Sequence, residues 1–303
     1  MSDPGKFSAE DDVVLPSLDC DAHIVMDYSI NQITTCSASF ESDIAEWQRA
    51  GIPSIGLWRR KVDEVGEQRA VELIRDSGLN VTSLSFGGGF TGSSGFQFRE
   101  ALSDGYQALF LAAAVGANTI VIAPGSRGRY TERHERRLVV SAIRELSMAA
   151  DDFDLTLSLL PMHCRLAREW TSLVSLECAA EMASDIGRKN VGIVFDTYQF
   201  GRNADVLASL EQLGSLIDLV QLSDSRGELG TSYDRLLPGE GDLPLADFLT
   251  VLRKSGFTGD VDVQVWSDSV WERSTTDVLA AVRSHVDQLL AVPTRVSELP
   301  VSV

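Results

Sequence analysis

RAGIPSIGL, residues 49–57, closes an amphipathic run on a glycine and opens an apolar run within three residues. The arrangement recurs in DSGLNVTSL (76–84), AVGANTIVI (114–122) and KSGFTGDVDV (254–263). Glycine just past a helix takes the left-handed backbone at no steric cost, so each of these stretches marks a helix-to-strand corner. Outward from them, apolar runs predict strands at Tyr28–Gln32, Ser54–Leu57, Val81–Ser85, Thr119–Ile122, Leu155–Leu159, Val191–Phe195, Leu219–Leu222 and Val261–Val265. Between the runs, apolar residues recur three and four apart over Phe40–Ala50, Glu64–Asp76, Phe98–Val115, Thr131–Ala150, Leu176–Ile186, Ala204–Leu213, Leu245–Lys254 and Thr275–Leu290. Eight strand–helix units with no long interruption predict an α/β chain forming a single (β/α)8 TIM barrel. A doubly wound open sheet is the alternative, but no GxGxxG follows the first strand. SFGGGFTGSSG (85–95) has neither dinucleotide nor P-loop spacing and reads as a flexible rim loop.

Composition sets the surroundings. An acidic, aperiodic leader is expected over residues 1–26, the barrel over 27–292 and a tail over 293–303. The 303 residues are 44% hydrophobic, enough for one large core, and carry a formal charge of −18. That charge repels nucleic acid and anionic membrane surfaces, leaving a small molecule as the expected partner. Cys20, Cys36, Cys164 and Cys178 form no CxxC pair and read as free thiols of a reducing compartment. With neither a signal peptide nor an apolar span in the sequence, a cytoplasmic location is expected.

A barrel builds its site from the C-terminal ends of its strands. Strand 2 ends in Trp58 and Arg59, an apolar wall and an anion clamp or else an aromatic cover beside a solvated basic turn. Strand 5 leads through Leu160 and Met162 to His163, the one histidine of four placed where a barrel keeps its catalysts. VGIVFDTYQF (191–200) delivers Asp196, followed by Tyr198 and Gln199. Asp196 is then a metal ligand, a general base or the cap of the next helix. Strand 7 offers Gln221. Strand 8, by its alternation, offers Asp262 and Gln264 on one face, then Trp266 and Trp271.

Taken together and in order, GIPSIGLWRRKVDEVG, LSLLPMHC, VFDTYQF, LVQLSD, RLLPGEGDLPL and GDVDVQVWSDSVWE carry a resemblance. From about Tyr28 to about Ala291 the chain resembles the sugar phosphate isomerase/epimerase family, the xylose isomerase-like TIM barrels. The resemblance implies one divalent metal (Mn, Mg, Co or Zn) held by a Glu, an Asp, a His or Gln and a Glu. Here those positions match Leu160, Asp196, Gln221 and Gln264. The family's EPLHP has become Leu160-Pro161-Met162-His163-Cys164, and Gln199 replaces the histidine of DTYH. Arg235 and Glu240, around PGEGD, match a substrate-reaching loop, and Trp271 a pocket aromatic. Self-association is also common among such barrels.

A divalent ion needs anionic oxygen to offset its lost hydration, and this set supplies one charge and two neutral amides beside an apolar Leu160. No cofactor is therefore expected; a metal, if present, would use Asp196, Gln221, Gln264 and His163. The leading expectation is a metal-independent enzyme of isomerase or lyase/cyclase type on a repurposed barrel. It would perform tautomerisation, epimerisation, dehydration or cyclisation, with Asp196 as base and His163 as acid. Gln199, Gln221 and Gln264 would hold an oxyanion, with Trp58, Phe86, Phe90, Trp266 and Trp271 against the ligand. The alternatives are a metal-dependent sugar isomerase with altered ligands and a non-catalytic binding protein.

Overall fold

The computed structural model describes residues 28–291 apart from 93, 94, 96, 168, 169 and 228–233. The expected leader and tail, and with the leader Cys20, lie outside the described residues. Eight parallel strands run in sequence order: β1 (Tyr28–Asn31), β2 (Ser54–Trp58), β3 (Asn80–Gly88), β4 (Ala117–Ala123), β5 (Thr156–Leu159), β6 (Val191–Asp196), β7 (Ile217–Leu222) and β8 (Asp260–Val263). Each pairs with the next, and β8 returns to β1 with Ser29 opposite Asp262. The sheet is closed, which removes the doubly wound alternative.

Around it lie α1 (Phe40–Ala50), α2 (Arg59–Val65), α3 (Glu67–Ser77), α4 (Phe98–Val115), α5 (Glu132–Asp151), α6 (Leu176–Ile186), α7 (Thr197–Phe200), α8 (Val206–Leu213), α9 (Leu245–Lys254), α10 (Asp268–Trp271) and α11 (Thr275–Leu290). The corner glycines Gly51 and Gly116 sit at φ 66° and 69°, the left-handed caps the sequence calls for. The single helix expected over Glu64–Asp76 is instead two, α2 and α3, because Gly66 at φ 87° cannot continue helical backbone. β3 runs on through Gly87 and Gly88, opposite Ile122 and Ala123, so the start of the glycine-rich stretch is strand rather than loop. No described helix is long and apolar enough to cross a membrane.

The main core lies between strands and helices. Phe195, for example, points outward from β6 and meets Phe248 of α9 edge-on at 5.7 Å. Inside the barrel the filling is divided. On the β4–β7 side Val121, Val194 and Leu219 make an apolar lumen. On the other side Asp262 is fully buried and accepts from Ser29 Oγ (2.7 Å), Asn31 Nδ2 (2.7 Å) and Ser83 Oγ (3.0 Å). Gly56 leaves room for this cluster: a Cβ there would lie 2.5 Å from Asn31 Nδ2 and from Asp262 Oδ2.

Burial without a cationic partner pushes the Asp262 carboxyl up to about 6. The folded state thus binds this proton more tightly than the unfolded chain. The stability it contributes is complete below pH about 4 and is lost as pH rises through about 6. At about 1.4 kcal/mol per pH unit, the loss is about 3 kcal/mol. Asp262→Asn, which keeps the shape and abolishes the titration, is expected to narrow the stability difference between pH 5 and pH 7.5 seen in urea unfolding by about 1.4 kcal/mol, the part of that loss that falls above pH 5. An unchanged difference would mean that Asp262 is not the responsible group.

Candidate active site

At the C-terminal mouth of the barrel, alternation along β6 turns Val194 and Asp196 inward. Asp196 is 1% exposed and heads α7. Its Oδ1 accepts the backbone N–H groups of Tyr198 (3.0 Å) and Gln199 (3.3 Å), so the cap reading is realised. Its Oδ2 accepts from Arg235 Nη2 at 2.8 Å. Arg235, 3% exposed, also donates through Nη1 to the Gln264 carbonyl (3.3 Å) and lies 5.1 Å above the Tyr198 ring. Its backbone N–H donates to the carbonyl of Trp266, which fastens the loop after β7 to the end of β8.

Asp196, Arg235, Gln221 and Gln264 line one cavity at the barrel mouth. Opposite them stand Phe86, Leu160, Met162, Trp170 and Trp266. The Gln221 Nε2, Gln264 Nε2 and Arg235 Nε atoms are buried without a hydrogen-bond partner. Buried donors left unpaired are costly, so several at one cavity make it the candidate place for acceptor atoms of a ligand.

Other expected residues are placed elsewhere. Trp58 stands behind the wall, edge-on to Trp266 at 5.7 Å, and Trp271 packs on Trp266 at 6.0 Å while donating from Nε1 to the Ile33 carbonyl. Both brace the wall from behind. Arg59 binds Asp104 of α4 bidentately at 2.8 Å for each bond and also donates to the Phe86 carbonyl (3.2 Å). Glu240 pairs with Arg273 at 2.8 Å, away from the cavity wall. Phe90 is fully buried in the main core. Gln199 Oε1 accepts the backbone N–H of His163 (2.9 Å), tying the loop after β5 to α7. The structure does not bring His163 into the cavity wall; its Nδ1 accepts from the backbone N–H of Arg165 (3.3 Å), and partial burial together with Arg165 holds its pKa below the usual imidazole value.

Trp170 is the wall residue missed by strand-end reasoning. It lies in the long loop after β5, and its carbonyl accepts the N–H of Gly125 (2.9 Å), laying that loop against the one after β4. An otherwise unexplained aromatic in REWTS was its only signal.

Burial pushes the Asp196 carboxyl above the ordinary aspartate value, while Arg235 and the two backbone amides pull it down. Among the described residues no group of three or more His, Cys, Asp or Glu is gathered closely enough to hold an ion. What remains is one carboxylate already bonded to a guanidinium, and two neutral amides. That donor set does not fit a divalent cation.

Three likenesses bear on this geometry. Over 199 residues, 64% of this chain and 70% of the relative, the sequence is 22% identical to an inosose isomerase of Bacillus velezensis. A solved protein of Sinorhizobium meliloti superposes with a TM-score of 0.77 at 25% identity, covering 88% of this chain and 98% of that one. The zinc-bound crystal structure of the IolI protein shares the fold at a TM-score of 0.74 and 18% identity, covering 88% and 98% of the two chains. The model of the xylose isomerase-like TIM barrel family matches residues 44–285, and with the closed barrel and its mouth as described, the chain belongs to that family.

Proposed function

We propose that the chain is an isomerase- or epimerase-type enzyme that moves a proton beside the carbonyl of a small, neutral polyhydroxy ketone, with Asp196 as base and without a divalent metal. The observation carrying this reading is Asp196 itself, the one carboxylate among the described cavity-wall residues, facing donors that lack partners. A carboxylate offers about four acceptor positions. Three are used by Tyr198, Gln199 and Arg235, which leaves one on Oδ2 for a substrate proton.

In the reaction, Asp196 takes the proton from the carbon bearing the hydroxyl. The C–H pair flows into the carbonyl oxygen, giving an enediolate whose charge Arg235 and the Gln221 and Gln264 amides stabilise. The hydroxyl proton passes to that oxygen, and Asp196 returns its proton to the neighbouring carbon. One base returns the proton on the face from which it came. A 1,2-shift between adjacent carbons is therefore favoured over inversion at one carbon. The inosose isomerase name of the Bacillus relative supports the same reaction class. Asp196 and Arg235 cancel in charge, so nothing in the described wall balances a substrate phosphate.

Incubation with inosose and with unphosphorylated ketoses in D2O, followed by NMR, is expected to show deuterium entering beside the carbonyl, unaffected by EDTA. Fructose 6-phosphate should not exchange. Asp196→Asn is expected to slow exchange at least ~100-fold, the scale of general-base catalysis. Full exchange in that variant, or its loss on chelation, refutes the reading.

The base must be ionised, so kcat/KM should rise with pH through the raised Asp196 pKa. The acid limb is expected above the ordinary carboxylate value of about 4. A limb at or below 4 would assign the proton to another group.

A further inference from the structure

We propose that the guanidinium of Arg235 takes the place of a divalent cation in this cavity and supplies a single positive charge there, so that this one side chain both excludes a metal and serves as the electrophile for the substrate oxygen. The catalytic half of this inference rests on the isomerase reading above; the exclusion of metal does not.

The argument begins with Asp196. Its carboxylate is the one anionic oxygen donor in the described cavity wall, and the Oδ2 that a cation would need is held by Arg235 Nη2 at 2.8 Å. The bond is built to persist. Both side chains are almost fully buried, so water does not compete for either charge. The arginine is fixed at its other end as well: Nη1 donates to the Gln264 carbonyl, its backbone N–H to the Trp266 carbonyl, and the Tyr198 ring lies against its face. The neighbouring Asp234 accepts from Ser267 Oγ at 2.6 Å, and Leu236 forms a bridge with Asp224, so the chain on either side of Arg235 is also tied down. A metal ion entering the cavity would meet the guanidinium's like charge in a low-dielectric pocket and would find one open acceptor position on its one carboxylate, too little to offset its lost hydration while Arg235 stays in place.

The guanidinium nonetheless keeps donor capacity beyond these two bonds. Nε is buried without a partner, as are the Nε2 atoms of Gln221 and Gln264. A carbonyl oxygen brought to these donors meets a fixed positive charge and N–H groups, the polarisation that a metal ion supplies by coordination. Neutral glutamines are compatible with this arrangement, since further carboxylates would compete with the substrate oxygen for Arg235. Leu160 is compatible too, because a guanidinium already paired with Asp196 needs no second anion.

The test rebuilds a metal site with and without the arginine and uses Mn²⁺ alone as probe. Leu160 and Gln264 line the cavity with Asp196, so Leu160→Glu with Gln264→Glu adds two carboxylates. This double variant, the same variant carrying Arg235→Ala, the wild type and Asp196→Asn are titrated with Mn²⁺ by calorimetry, after circular dichroism shows each to be folded. The triple variant is expected to take up Mn²⁺ stoichiometrically. The double variant, with Arg235 in place, should bind at least tenfold more weakly. Equal affinity in the two would overturn the proposal, as would uptake by neither, which would show that these positions do not converge on the guanidinium's place. Stoichiometric Mn²⁺ in the wild type, lost in Asp196→Asn, would overturn it as well. Turnover does not enter this measurement, so its result is separate from that of deuterium exchange.

Discussion

The pairing of Asp196 with Arg235 is the constraint around which the barrel mouth is arranged. Removing two charges from water is expensive, and a buried pair recovers that cost only when geometry and further hydrogen bonds are good. Here the carboxylate has three donors, and the guanidinium has a carboxylate, a carbonyl and an aromatic face. Removing either partner would strand the other, at a cost of roughly 3–5 kcal/mol. The pair thus ties the ends of β6 and β8 and the loop after β7 into one unit, and any chemistry at the mouth has to be done around it.

A second buried pair supports the opposite wall. Lys61 and Asp43 are essentially inaccessible and meet at 2.6 Å, with Thr35 and Gln32 completing the carboxylate's shell. Gln32 also accepts the N–H of Trp58, and Thr34 bonds to the backbone of Val263 and Val265. The short turn after β1 therefore stitches the ends of β2 and β8 together. Trp58, Trp266 and Trp271 are held against one another by that stitching, and Trp170 meets Trp266 edge-on at 6.5 Å. A rigid aromatic wall facing fixed donors is preorganised for a ligand, because little has to be ordered on binding.

The sequence was most legible where side-chain direction follows from strand alternation. Asp196, Gln221 and Gln264 reach the cavity because a period of two fixes their face, and Asp262 follows by the same rule one step deeper. Periodicity and corner glycines likewise carried the eight longer helices, missing the one-turn α7 and α10 and failing at Gly66, where a single residue breaks what reads as one amphipathic run. Legibility ended in the loops. Arg59, Glu240 and His163 sit at positions where strand-end logic permits a site, yet Asp104, Arg273 and the backbone of Arg165 claim them. Those partners come from distant or irregular chain, and no local pattern announces them. Trp170 was hidden for the converse reason: its loop is laid at the cavity by non-local contacts, the bond to Gly125 and the rings of Phe86 and Trp266.

The same distinction explains why the mouth reads as degraded in sequence but coherent in structure. Counted as metal ligands, Leu160, Gln221 and Gln264 are losses. Counted around a buried guanidinium, they form a consistent set, with one anion to hold the cation, neutral donors that do not compete for it, and an apolar side that keeps water from weakening the field. A charge that is part of the chain cannot be chelated or exchanged, and its position is set by packing. On the proposed reading, the site gains a fixed electrophile and gives up the stronger polarisation and the geometric freedom of a metal ion. That exchange suits substrates whose protons are already acidic beside a carbonyl and suits poorly those that carry their own phosphate.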